Sequence, residues 1–141
     1  MMGWLLDTNL PSELVRPKPS AVVREWFLAQ DPSSLYLSVI TLGELRAGFV
    51  LDTQADRRER LAIWYESKLL PAFVGQILPV TQPIAEVWGK LTARGRTHGR
   101  PLPQSDGLLA ATALVHNLGV ATRNVKDFAQ TGVTLLNPWE L

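Results

Sequence analysis

Cysteine is absent from this 141-residue chain, which excludes disulfides, thiol nucleophiles and thiolate-ligated zinc or iron–sulfur centres. Histidine is scarce, and His98 with His116 alone makes a poor imidazole site. A metal would therefore sit among oxygen ligands, which favour Mg2+, Mn2+ or Ca2+. No run approaches the ~20 apolar residues of a membrane span. No basic stretch followed by a long apolar core opens the chain, so a cytoplasmic location is expected. Charge of one sign is lacking too. Fourteen Lys and Arg against thirteen Asp and Glu leave a net charge of +1, so nucleic-acid binding would rest on a local basic patch. No glycine-rich fingerprint follows the first apolar run, which argues against dinucleotide or P-loop nucleotide binding. A phosphoacceptor receiver domain would need an aspartate where the chain has Val80-Thr81-Gln82-Pro83.

What is present reads as a folded α/β protein. Hydrophobic residues make up 46% and charged residues 19%, a globular balance, and the length suits one domain spanning 1–141 with a substantial core. Short strand-like runs fall at Trp4–Asp7, Leu35–Ser38, Ile77–Val80, Val120–Thr122 and Val133–Leu136. Most are continuously apolar rather than alternating, as expected for strands covered on both faces of a parallel sheet. Between them, Ser20 can cap a helix over Ala21–Gln30, and Leu61, Trp64, Tyr65, Lys68 and Leu69 fall on one face of a helix near Arg57–Leu70. Thr81 precedes a helix carrying Ile84, Val87, Trp88 and Leu91, and a helix opened by Asp106 is predicted to stop at Gly119. The alternation predicts a three-layer α/β sandwich around a mainly parallel five-stranded sheet. Trp26, Trp64 and Trp88 lie on apolar helical faces, which points to core or interface rather than base stacking.

Three acids are placed where apolar segments meet turns: Asp7, Glu44 and Asp106. Each has a structural explanation taken singly. Asp7 can cap the short helix beginning at Pro11-Ser12-Glu13, Glu44 can close a capping box with Thr41, and Asp106 can oppose a helix dipole. Together they belong to the carboxyl edge of the predicted sheet, where ligands collect. Clustered carboxylates repel and raise one another's pKa, and a divalent cation removes that penalty. Asp127 is a further candidate, read here as a cap or as a partner of Lys126.

The segments Leu5-Leu6-Asp7-Thr8-Asn9, Ser38-Val39-Ile40-Thr41-Leu42-Gly43-Glu44-Leu45, Asp106-Gly107-Leu108-Leu109-Ala110-Ala111-Thr112-Ala113 and Ala121-Thr122-Arg123-Asn124 carry a resemblance, with Asn137-Pro138-Trp139 closing it. In order and spacing the chain resembles the PIN-domain ribonucleases, specifically the VapC-like toxins of bacterial type II toxin–antitoxin pairs. The resemblance implies that Asp7, Glu44 and Asp106 hold Mg2+ or Mn2+ and carry catalysis, with Thr122 bonding one of them. It also implies RNA cleavage leaving a 5′-phosphate and a 3′-hydroxyl, a homodimer, and an antitoxin that blocks the acidic cleft. The resemblance also makes Asn124 a catalytic candidate: many relatives place a fourth acid at its position, where here an amide brings an oxygen but no charge.

An RNA substrate, possibly tRNA, would need cations beside the acids. Arg94, Arg96 and Arg100 lead into the Asp106 helix with Gly95 and Gly99 between them, which predicts a mobile loop able to contact phosphates. The same residues could instead form a solvated helix end. Arg123 is a further candidate, whereas Arg57-Arg58-Glu59-Arg60 reads as an exposed helix face. The competing functional class is a non-catalytic PIN-like binding module that acts through its partner protein.

Overall fold

Five strands, β1 (Trp4–Leu6), β2 (Leu35–Ser38), β3 (Ile77–Leu78), β4 (Gly119–Ala121) and β5 (Leu135–Leu136), pair in parallel in the order β3-β2-β1-β4-β5. The computed structural model describes residues 2–141. Successive residues of β1 point to opposite faces, and both faces are covered: Leu5 is 0% and Leu6 1% exposed. That double burial is why the strands lack polar alternation. Each such leucine contributes on the order of 2 kcal/mol through removal of apolar surface from water.

The eight α-helices among the described residues form the outer layers. On one side lie α1 (Asn9–Leu14), α2 (Ala21–Ala29), α3 (Val39–Leu51), α4 (Ala55–Trp64) and α5 (Leu70–Ala72), the last two joined by a π-helical turn over Tyr65–Leu69. Leu6 packs there with Leu10, Val23, Leu37, Leu45 and Phe49. On the other side lie α6 (Gln82–Thr97), α7 (Gln104–Val115) and α8 (Val125–Phe128). Leu5 packs there with Ile84, Leu109, Val120 and Phe128. Three aromatic pairs among the described residues meet edge to face, including Trp4 with Trp26 at 6.3 Å and Phe49 with Trp64 at 6.3 Å.

The sandwich and the parallel sheet agree with the sequence reading, and the boundaries shift for identifiable reasons. Ser38, not Thr41, caps α3, its hydroxyl accepting from the Ile40 N–H at 3.0 Å. Thr41 is therefore an interior, buried residue, and the capping box with Glu44 does not form. The predicted stop of α7 at Gly119 is also displaced. Asn117 takes the left-handed conformation (φ 56°), with Leu118 N donating to Ala113 O and Asn117 N to Leu114 O. This is a Schellman ending in which asparagine replaces glycine. Gly119 instead opens β4, where a Cβ would run into the Trp4 ring.

Candidate functional site

Parallel strands deliver their carboxyl ends to one rim, and the following helices begin there. Asp7 stands one residue past β1, still within the ladder, its N–H donating to Ala121 O at 3.0 Å. Thr122 stands one residue past β4 and donates its own N–H to Leu136 O. Asp106 is the third residue of α7 and Glu44 lies in the second turn of α3. Four segments distant in sequence thus contribute to one edge.

Asp7 is the fixed point of the site. Only 6% exposed, it accepts from Thr8 N at 2.8 Å through Oδ1 and from the Thr122 hydroxyl at 2.8 Å through Oδ2. The Asn9 amide donates a longer bond, 3.4 Å, to Oδ2. Oδ1, with a single donor, keeps a lone pair for a further partner. The Thr122 hydroxyl in turn accepts from Asn124 N at 2.9 Å, so its proton is committed to Asp7. Glu44 is exposed, yet held: Thr8 Oγ1 donates to its Oε1 at 2.6 Å.

Electrostatics link the acids. Burial pushes the Asp7 carboxyl above its ordinary range against the hydrogen bonds of Thr122 and Thr8, and the charges of Glu44 and Asp127 add to the rise. Asp106, half-buried, is pushed up to about 6, first by desolvation and then by Asp7, Asp127 and Glu44. Four carboxylates therefore share one field. Such a donor set matches a hard divalent ion. Among the described residues, no three acids converge closely enough to ligate one ion together. The set fits an ion that takes one or two carboxylates directly and reaches the others through water, the habit of Mg2+. Asp7 and Asp106 would hold it.

Asp127 corrects the sequence reading. It was expected to cap or to pair with Lys126; among the described ion pairs that one is missing, and the Asp127 charge acts on Asp7 and Asp106 instead. Asn124, the position of the missing fourth acid, is exposed, and its side chain makes no capping bond. Only its backbone reaches the site, through Thr122. Asp127, three residues on in the short α8, brings a charge close enough to act on Asp7 and Asp106. That spacing was readable in Asn124-Val125-Lys126-Asp127. Thr8 and Asn9 also act at the site, and nothing in the sequence but their adjacency to Asp7 marked them.

The arginines divide. Arg94 and Arg96 lie within α6, whose end is a second Schellman motif: Arg100 N donates to Gly95 O at 2.7 Å and Gly99 N to Arg96 O at 3.1 Å, with Gly99 at φ 69°. The glycines therefore build a closed helix ending, one of the two readings the sequence left open, rather than a mobile loop. Gly95 permits the close return, since a Cβ there would stand 2.7 Å from Arg100 O. Arg123 turns elsewhere, its guanidinium carbon 5.5 Å from the Trp139 ring centroid.

The family model for the PIN domain matches residues 4–133. The chain belongs to the PIN-domain family. Among curated proteins this PIN domain is similar to Toxin FitB of Neisseria gonorrhoeae, 39% identical over 135 residues that span 96% of this chain and 97% of that one. It is also similar to VapC ribonuclease Y4jK of Sinorhizobium fredii, 38% identical over 136 residues, 96% of this chain and 97% of the other. Among solved structures, FitAcB from Neisseria gonorrhoeae superposes with a TM-score of 0.92 at 39% identity, covering 98% of this PIN domain and 99% of that chain. A toxin–antitoxin complex from Klebsiella pneumoniae gives 0.72 at 27% identity, covering 99% and 100%.

Proposed function

We propose that this PIN domain is a Mg2+- or Mn2+-dependent endoribonuclease, the toxin of a toxin–antitoxin pair acting in the cytoplasm. The observation that carries the reading is the shared field of Asp7, Glu44, Asp106 and Asp127, in which Asp106 is pushed up to about 6. Four acids at the carboxyl edge of a parallel sheet impose an electrostatic cost that a bound cation offsets. The likeness to proteins named as a toxin and as a VapC ribonuclease supports the same assignment.

Asp7 and Asp106 would hold the ion, Asp7 in the orientation that Thr8 N and the Thr122 hydroxyl impose. Bound there, a divalent ion makes water more acidic and offsets charge on the phosphate. Glu44, positioned by Thr8, accepts the proton of the water that attacks phosphorus in line with the departing 3′-oxygen. The P–O3′ bond breaks, leaving a 5′-phosphate on one fragment and, after protonation from solvent, a 3′-hydroxyl on the other. Structured RNA such as tRNA is the substrate class. A homodimer and an antitoxin that covers the acidic cleft complete the proposal.

The test is cleavage of total RNA by the purified protein, in EDTA and after adding back Mg2+ or Mn2+. Cleavage that requires the ion and disappears in Asp7→Asn and Asp106→Asn is the expected result. RNA left intact by the folded wild-type protein under all these conditions would instead favour a binding module that acts through its partner.

A further inference from the structure

Beside the acids, on the α6–α7–α8 side of the sheet, lies a cavity of about 250 Å³ lined by Arg94, Arg100, Lys126, Asp127 and Gln130, with Pro103 at the start of α7. Its cations come from three separate places: the last turn of α6, the Schellman ending and α8. Arg94 Nη2 donates to Gln130 O at 3.2 Å. Arg100 reaches the side-chain oxygen of the same residue through Nη1 and Nε once the Gln130 amide is oriented to accept. Both guanidinium groups are thus positioned by neutral acceptors, which fix geometry without cancelling charge.

None of the three cations forms an ion pair among the described residues. The lining therefore carries three positive charges against the single carboxylate of Asp127. Each arginine has five N–H donors, and most remain free to meet an anion in forked geometry. Asp127 is the shared wall: it lines this cavity and also acts on Asp7 and Asp106. The cavity and the acids therefore adjoin through Asp127.

We infer that the Arg94–Arg100–Lys126 cavity binds a backbone phosphate of the RNA strand flanking the cleaved bond. The inference rests on the ribonuclease reading above. It narrows the basic segment to a specific set, taking in Lys126 and leaving out Arg96 and Arg123, neither of which lines the cavity. Because the groups contact phosphate rather than bases, binding there is indifferent to sequence.

The experiment measures binding of two unrelated fluorescent single-stranded RNAs across a salt series. Asp106→Asn serves as a cleavage-deficient background that also lowers acid–phosphate repulsion. Into it are placed Arg100→Ala, Lys126→Ala, and, as comparisons, Arg96→Ala and Arg123→Ala, each checked for folding by circular dichroism. Arg100→Ala and Lys126→Ala are expected to weaken both RNAs about tenfold at low salt. The double variant should flatten the log–log salt slope by about 0.7, the value for one phosphate contact on a single strand. Arg96→Ala and Arg123→Ala should leave the slope in place. An unchanged slope in the double variant, or an equal change in Arg96→Ala, overturns the inference. Failure of the wild-type protein to cleave RNA bears on the ribonuclease reading separately, because this readout is binding alone.

Discussion

Thr8 and Glu44, thirty-six residues apart, are joined by a 2.6 Å hydrogen bond in which the threonine hydroxyl donates to the carboxylate. Thr8 also donates its backbone N–H to Asp7, so one residue orients two of the acids. Thr8→Val keeps the shape and the Asp7 contact while releasing Glu44. Steady-state cleavage should fall about tenfold, less than the ~10²-fold or more that complete loss of a general base costs, because Glu44 is released rather than removed. Calorimetric affinity for Mn2+ should change little, and Thr8→Ser should restore the rate. A Thr8→Val enzyme with wild-type kinetics would remove Glu44 from proton transfer.

Asp106 sets the expected pH dependence of the ion-free protein. Its folded pKa of about 6 lies above its ordinary 3.8, so the folded state holds the proton more tightly than the unfolded one. Stability is then greatest at low pH on this account, falls as pH rises between about 4 and 6, and stays reduced above that. Asp106→Asn should raise the melting temperature at pH 7.5 in EDTA, by the equivalent of on the order of 1 kcal/mol after solvent screening is allowed for. It should also flatten the pH profile in that window. Thermal melts at pH 4, 5, 6 and 7.5 decide the matter; a variant less stable than wild type at pH 7.5 would contradict it.

Asp127 and Asn124 make a paired test. Asp127→Asn removes a charge felt by Asp7 and Asp106 and should weaken divalent-ion binding several-fold. Asn124→Asp, whose side chain is exposed and free of any capping bond, should alter affinity far less. Titration calorimetry with Mn2+ on both variants gives the order. The reverse order would show that residue 124 carries the fourth acid after all.

Gly107 sits beside Asp106 against the indole of Trp88, where an added Cβ would lie 3.0 Å from Cδ1 and 3.1 Å from Nε1. Gly107→Ala ordinarily favours a helix, but here the Trp88 indole and Leu102 must give by a few tenths of an ångström to admit the methyl group. A loss of about 1–3 kcal/mol in urea unfolding is expected from overpacking. Activity should fall with it, because the crowded first turn carries Asp106. A stabilised Gly107→Ala protein would show that the α6–α7 contact yields freely.

The layering and the rim were legible because they depend on repeated, additive signals. Leu5 and Leu6 report two covered faces, and Asp7, Glu44 and Asp106 each follow a recognisable strand or helix start. What was not legible depends on single atoms. Whether Ser38 or Thr41 caps α3 turns on one hydroxyl and moves Glu44 from the first turn to the second. Whether Gly99 loosens a segment or closes a Schellman motif depends on two backbone bonds, Arg100 N to Gly95 O and Gly99 N to Arg96 O. Asp127 was hidden by its neighbour Lys126, since adjacency in sequence suggests an ion pair that one turn of helix directs apart.

The bond between Thr122 and Asp7 spans 115 residues, and β1 lies at the middle of the sheet between β2 and β4. During synthesis, β1 leaves the ribosome long before its second neighbour, β4, arrives. Until Thr122 emerges, Asp7 has no hydroxyl to set its rotamer, and Asp106 has no completed sheet edge to face. A nascent or prematurely terminated chain is therefore without an assembled site. The winding of the sheet acts as a timer that defers assembly of this rim until β4 has been made.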